Sequence, residues 1–80
     1  MTRTGDTITY GHGTQHTGKV LALARSPRTG HLFALVQTDI DIWPNRTVDL
    51  ETRYVKCEHS ENQSPWEWVE WITNGRERHR

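Results

Sequence analysis

The chain has a single cysteine, Cys57, among 80 residues, which excludes a disulfide within the chain. A lone thiol fits a reducing compartment, and the expected location is cytoplasmic. No apolar run approaches the ~20 residues that a membrane-spanning helix needs. The opening MTRTGDTITY contains no signal-peptide h-region, so neither a membrane nor a secreted location is expected. Net charge is missing as well, because ten Lys and Arg balance ten Asp and Glu. A global field that draws in nucleic acid is therefore absent, although local clusters of cations remain open.

Hydrophobic residues are scarce at 32%, against the usual ~45–50% for a soluble domain, a range that counts glycine. A chain of this size buries only about 60% of its unfolded surface, so every large side chain matters to the core. Such chains often add a disulfide, a metal or a second subunit, and the first is already excluded. Catalytic signatures are lacking too. There is no GxGxxG, P-loop or nucleophile elbow, and Gly11, Gly13 and Gly18 precede a strand-like run, not a helix that would cradle phosphate. The sequon Asn45-Arg46-Thr47 is read as accidental.

What the chain does have is tryptophan. Three of its four lie in SPWEWVEWITNG, residues 64–75. Ser64 at an N-cap, Pro65 at N1 and Glu67 at N3 read as a capping box, and Gly75 as the C′ residue that ends a helix. At 100° per residue Trp68, Val69, Trp71 and Ile72 fall within an arc of about 160°. Trp68 and Trp71 are therefore expected in the core, with Trp66 left outside. A strand would mix charge and bulk on both faces, which favours the helix.

Upstream, the pattern is short strands. Residues 7–10 alternate polar and apolar, and GHGTQHTG at 11–18 reads as a loop. Two apolar runs, 19–25 and 31–37, flank a Pro/Gly turn at 26–30, a hairpin signature. Neither run alternates cleanly, so both faces are expected to be covered. Residues 38–45 either extend the second run or form an arm. Residues 46–50, a turn at 51–53 and residues 54–57 supply the last two strands. This spacing, with TVDLETRYVKC looking like two final strands joined by one 3₁₀ turn, resembles SH3-like small barrels, the class that includes Tudor, KOW and chromo-barrel modules. The resemblance covers roughly residues 6–58. It implies a mainly β, five-stranded SH3-like barrel with a short C-terminal α-helix sealing one end. The expected organisation is one domain over 1–80, with the barrel at 6–58, the helix at 64–75, and flexible tails at 1–5 and 76–80.

Several constellations bear on function. His12, His16, Cys57 and His59 are metal-ligand types, but CxH is not a common zinc spacing, and no metal or other cofactor is expected. Cys57 with His59, His31 or His16, and Asp49 or Asp39, supplies the types for nucleophilic catalysis without a signature. Ile42-Trp43-Pro44 is loosely similar to an Ile-Tyr-Pro of the type II dihydrofolate reductases, whose tetramer of SH3-like chains encloses one active pore. The chain has Asp39-Ile40-Asp41-Ile42-Trp43 where that family has Val-Gln-Ile-Tyr, which removes the residues expected to touch cofactor and substrate.

Small barrels also bind single strands through cations and exposed rings. Arg25, Arg28, Lys19, Arg46, Arg53 and Lys56 are the candidate cations, with Arg76, Arg78 and Arg80 in the tail. Tyr10, Trp43, Tyr54 and Trp66 are the aromatics expected outside the core. Asp39, Asp41, Asp49, Glu51 and Glu58 interleave with these cations and weaken any field. Alternatively, Trp43-Pro44, Tyr54 and loop 11–18 build an aromatic groove for a protein partner or a second copy. The resulting expectation is a non-enzymatic binding module that docks on a protein, of a size that fits a phage or mobile-element accessory protein. Nucleic-acid binding is the alternative, and an oligomeric reductase a third. The candidate binding residues are Tyr10, Arg25, Arg28, Trp43, Arg46, Tyr54 and Trp66.

Overall fold

The two apolar runs on either side of residues 26–30 pair as antiparallel strands and form the centre of the molecule. The computed structural model describes residues 1–38, 45–59 and 64–76. Strands β1 (Thr7–Tyr10), β2 (His16–Arg25), β3 (Leu32–Gln37), β4 (Asn45–Asp49) and β5 (Val55–His59) precede helix α1 (Pro65–Thr73). The strands form one antiparallel sheet in the order β1-β2-β3-β4-β5. Residues 39–44, with Trp43 and Pro44, lie outside the described residues.

The imperfect alternation of the two runs has a specific cause. Val20 pairs with Val36, but Ala22 pairs with Leu35, so Leu21 is one residue in excess on β2. This bulge shifts the alternation by one. Val20 and Leu23 face one cluster with Ile8, Tyr10, Ala34, Val36 and Val48. Ala22 and Ala24 face the other, with Phe33, Leu35, Trp68 and Ile72. Strands β2 and β3 are thus covered on both faces, by the curled sheet on the inner side and by α1 on the outer.

Among the described residues β1 and β5 form no ladder, so closure into a barrel is not observed. The turn after β4 returns the chain along β4 as β5. Asp49 Oδ1 accepts the Glu51 N–H at 2.9 Å, Arg53 adopts φ 67°, and the Arg53 N–H reaches the Asp49 carbonyl. A residue in the left-handed region reverses the chain, so β5 folds back on β4. The expected 3₁₀ turn is replaced by this wider, five-residue closure.

Three further expectations change. Gly18 lies within β2 instead of the loop, and β2 starts at His16. The N-terminal residues are tied down, because the Gly5 N–H bonds the Val20 carbonyl at 2.8 Å and Arg3 and Asp6 close a turn. Helix α1 lies across the outer face of β2 and β3 and seals no barrel end. Trp68 is fully buried there, and its indole N–H donates to Thr47 Oγ1 at 2.8 Å.

The ends of α1 divide the sequence reading. Gly75 has φ 69°, its N–H bonds the Ile72 carbonyl, and the Arg76 N–H bonds the Trp71 carbonyl. These are the two bonds of a Schellman cap. Ser64, by contrast, makes no side-chain cap hydrogen bond. Ser64→Ala is therefore expected to change stability by under ~0.5 kcal/mol, below the usual ~1 kcal/mol for losing an N-cap. A loss of ~1 kcal/mol or more by urea denaturation would show that the hydroxyl caps in solution.

Candidate functional site

Strand β1 ends at Tyr10, and the chain turns back into β2 within residues 11–15. Gly11 permits the turn, with φ 102°, and a Cβ there would stand 2.8 Å from the Thr14 carbonyl oxygen. The turn is fastened to the β4–β5 connection. The Gly11 N–H donates to the Arg53 carbonyl at 2.9 Å, and Arg53 Nη1 reaches the Thr9 carbonyl at 3.4 Å. His12 Nε2 lies 2.7 Å from the Thr52 carbonyl. A carbonyl only accepts, so Nε2 carries the proton and, in the neutral ring, Nδ1 is left as an acceptor.

This fastening builds an aromatic pair. The His12 and Tyr54 rings stack with centroids 3.7 Å apart and planes 14° apart. Tyr54 nevertheless remains 54% exposed, so a large part of its ring is open to a ligand. The left-handed Arg53 immediately before it costs of order 1–2 kcal/mol for a residue with a Cβ. The hydrogen bonds on both sides of Arg53 hold that conformation and fix where Tyr54 points.

Beneath the stack lies Arg46. It projects from β4 on the inner face, opposite Val36, and is only 6% exposed. Its Nη1 donates to the Tyr10 hydroxyl at 3.2 Å, and its guanidinium carbon sits 6.0 Å from that ring's centroid. Tyr10, expected outside, is fully buried. Its place two residues from Ile8 turns both side chains inward, and Arg46 supplies a donor for the phenol oxygen. Gly11, His12, Thr14, His16, Arg46, Tyr54 and Val55 together line a cavity of about 330 Å³. Tyr10, Arg46 and Tyr54, three of the residues singled out in the sequence, thus converge with loop 11–15 and His16 at the start of β2.

The other candidates stand elsewhere. Arg25 lies at the far end of β2 from His16, and its Nη1 donates to the Gly30 carbonyl at 2.7 Å, closing the β2–β3 turn. Arg28 is exposed, with its aliphatic stem near Gly75 at the end of α1. Trp66 is 64% exposed on α1. A second concavity, of about 260 Å³, is polar and lined by Thr7, Thr17, Gly18, Lys19 and Gln37. No ring is among these lining residues.

Among the described residues neither chemical constellation is brought together, and Asp39 and the His59 side chain lie outside the description. Cys57 stands opposite Thr47, on the face that meets α1, whereas His12 and His16 line the cavity on the other side. Among the described residues no group of three His, Cys, Asp or Glu is placed to hold a metal. His31 directs Nδ1 to Asp49 at 2.8 Å and Nε2 toward Glu51 at 3.7 Å. Both ring nitrogens therefore face carboxylates, and neither is offered to a thiol.

The His31–Asp49 pair bears instead on stability. The hydrogen bond to Asp49 raises the His31 pKa above its ordinary value. Burial pushes Asp49 up, but bonds from His31 and from the Glu51 and Thr52 backbone outweigh it and leave the net value lowered. A raised histidine contributes stability that is full below its unfolded pKa and is lost as pH rises through the folded one. A lowered carboxylate contributes above its unfolded pKa and loses this as pH falls. The pair thus stabilises most between about pH 4 and 6.5. His31→Gln is expected to flatten the decline in stability above pH 6.5, read from urea midpoints at pH 5.5 and 8. An unchanged pH profile would show that the pair does not form.

No protein-family model, curated protein or solved structure matches the chain. Among the described residues no helix is long and apolar enough to cross a membrane.

Proposed function

We propose that the protein is a non-enzymatic, cytoplasmic binding module that docks on a protein partner through the face built by Tyr54, His12 and the adjoining cavity. The observation that carries this reading is the exposed Tyr54 ring, stacked on His12 and fastened at Gly11 and Arg53. A rigid aromatic with a polar tip beside a cavity is the kind of residue that dominates binding energy at interfaces. Held in place before binding, it also loses little entropy when a partner arrives.

Single-stranded nucleic acid is the second reading, because exposed Arg53 and Lys56 flank Tyr54 and a free ring face accepts a base. It is less favoured because Arg25 and Arg28, the other candidate cations, lie at the opposite end of β2 and do not extend the same track. The reductase-like reading rested on residues 42–44, outside the described residues.

A displayed library of 12-residue peptides is the test. Panning on the full chain is expected to enrich a consensus, and Tyr54→Ala to weaken the selected peptide at least tenfold, with little dependence on salt. Failure of any peptide to enrich, together with salt-sensitive quenching of tryptophan fluorescence by a single-stranded oligonucleotide, would replace the protein partner with nucleic acid.

A further inference from the structure

We infer that the outer edge of β1 is a strand-addition site, and that the partner docks as an extended peptide whose backbone pairs with Thr7 and Thr9 on its way to Tyr54. This rests on the protein-docking reading above and adds the form in which the partner is recognised.

Three observations carry it. First, backbone groups are left open on that edge. Residues facing each other in an antiparallel pair alternate between those that exchange hydrogen bonds and those that exchange none. The Val20 N–H donates to the Asp6 carbonyl at 2.8 Å, so Asp6 is a bonded position. By alternation Ile8 and Tyr10, opposite Gly18 and His16, are bonded too. Thr7 and Thr9 then turn their N–H and C=O away from β2. The Thr9 carbonyl meets Arg53 Nη1 on that side at 3.4 Å. Among the described residues the Thr7 N–H, the Thr7 carbonyl and the Thr9 N–H meet no partner.

Second, the edge is unguarded. Exposed edges are usually protected by charge, proline or a bulge. β1 is Thr7-Ile8-Thr9-Tyr10, with an unbroken register to β2 and none of these. β5, the other edge, carries Lys56 and is interrupted by a register shift. Third, the edge leads to the aromatic pair. Gly11, the residue after β1, bonds the Arg53 carbonyl at 2.9 Å, and His12 stacks on Tyr54. A strand laid on β1 therefore runs onto the Tyr54 ring. Arg53 Nη1 holds the place of an incoming N–H at Thr9, and a bond of 3.4 Å is long enough to be exchanged for a shorter one.

An extended backbone satisfies such groups with main-chain hydrogen bonds, at the two-residue period of a strand. A second copy paired edge to edge would share a seam of four residues, whereas stable protein–protein interfaces bury roughly 1,200–2,000 Å². A peptide engages the edge and the ring together.

The test uses the peptide selected on the full chain, resynthesised with an N-methyl group at each position in turn. Affinity is read by tryptophan fluorescence, and amide exchange by nitrogen–proton spectra. The expected result is a consensus without proline and a loss of about tenfold or more at alternate residues, with the intervening ones tolerated. The Thr7 and Thr9 amides, fast to exchange in the free chain, are expected to gain protection in the complex, while Ile8 and Tyr10 are protected in both. Thr9→Pro removes an outward N–H without breaking the β2 ladder. Confirmed folded by its urea transition, it is expected to weaken the peptide to the same degree.

N-methylation tolerated at every position, or Thr7 and Thr9 amides left unprotected, overturns strand addition, and a Tyr54→Ala that still weakens the peptide leaves the docking reading intact. A proline-rich consensus overturns it in the same way. Protection of Thr7 and Thr9 that rises with protein concentration, without peptide and with a dimer in sedimentation, assigns the edge to a second copy and overturns the peptide. If no peptide enriches and a single-stranded oligonucleotide quenches the tryptophans, both readings fail.

Discussion

Trp68→Ala is expected to lower the free energy of unfolding by about 3–5 kcal/mol, the range for emptying a large aromatic site in a core. The ring is fully buried between α1 and the outer face of β2 and β3, among Ala22, Ala24, Phe33, Leu35 and Ile72. The small Ala22 and Ala24 leave room for the indole, and neither is large enough to fill the space it leaves. The substitution also removes the indole N–H that donates to the buried Thr47 hydroxyl, and a typical hydrogen bond contributes about 0.5–1.5 kcal/mol. Small domains total roughly 5–15 kcal/mol, so the variant should lose a large share of its stability. Urea denaturation followed by far-ultraviolet circular dichroism reads the effect, with Trp66→Ala as the control. Trp66 is 64% exposed and should change stability by no more than ~0.5 kcal/mol. If Trp68→Ala melts within a few degrees of the parent, α1 does not hold the outer face of the sheet.

Gly18→Ala carries the second largest expected effect. A Cβ at Gly18 would overlap Val36 Cγ1 and stand 2.9 Å from the Gln37 carbonyl oxygen. Backbone dihedrals are not the reason, since Gly18 is not among the glycines with positive φ. The cause is close approach, where β2 passes over β3 and carries β1 with it, Ile8 pairing with Gly18. Forcing a methyl into such a contact costs typically ~1–3 kcal/mol, and the upper end is expected because one of the two neighbours is backbone. Val36→Ala removes the side-chain half of the collision. The double variant should therefore be destabilised by less than the sum of the single ones, a coupling of about 0.5 kcal/mol or more. Strict additivity would mean that the two sites do not touch. The change also tests function, because the same curl brings Gly11 to Arg53 and sets the Tyr54–His12 stack. Gly18→Ala should weaken peptide binding beyond what its stability loss explains.

The strands were legible because breakers interrupt the apolar runs at strand length, and the helix because Trp68, Val69, Trp71 and Ile72 fall on one arc. The Schellman end was legible from Gly75, since few residues other than glycine adopt φ 69° without strain. The N-cap was misread. Ser64 has the right identity and position, but capping also requires the hydroxyl to turn toward the first turn of α1, and Ser64 makes no such bond.

The site was only half legible. Tyr54, Tyr10 and Arg46 were singled out, but Tyr10 and Arg46 as surface groups, since nothing local says that a strand next to a polar loop turns its tyrosine inward. His12 and His16 drew notice as metal-ligand types, His16 also as a partner for Cys57, and both only as part of loop 11–18 in the proposed groove. The glycines on either side of His12 were the available signal, marking a turn sharp enough to fold its imidazole against a neighbour.

Local patterning determined what period, breakers and side-chain size can fix: five short strands, one amphipathic helix, a scarce core built around tryptophan and no disulfide. Tertiary structure decided the rest. The Leu21 bulge fixed which residues of β2 face α1, the left-handed Arg53 sent β5 back along β4, and the meeting of loop 11–15 with residues 52–54 placed His12 on Tyr54 beside Arg46. Each of these depends on contacts between residues far apart in the chain, where close approach and the pairing of buried polar groups outweigh local preference.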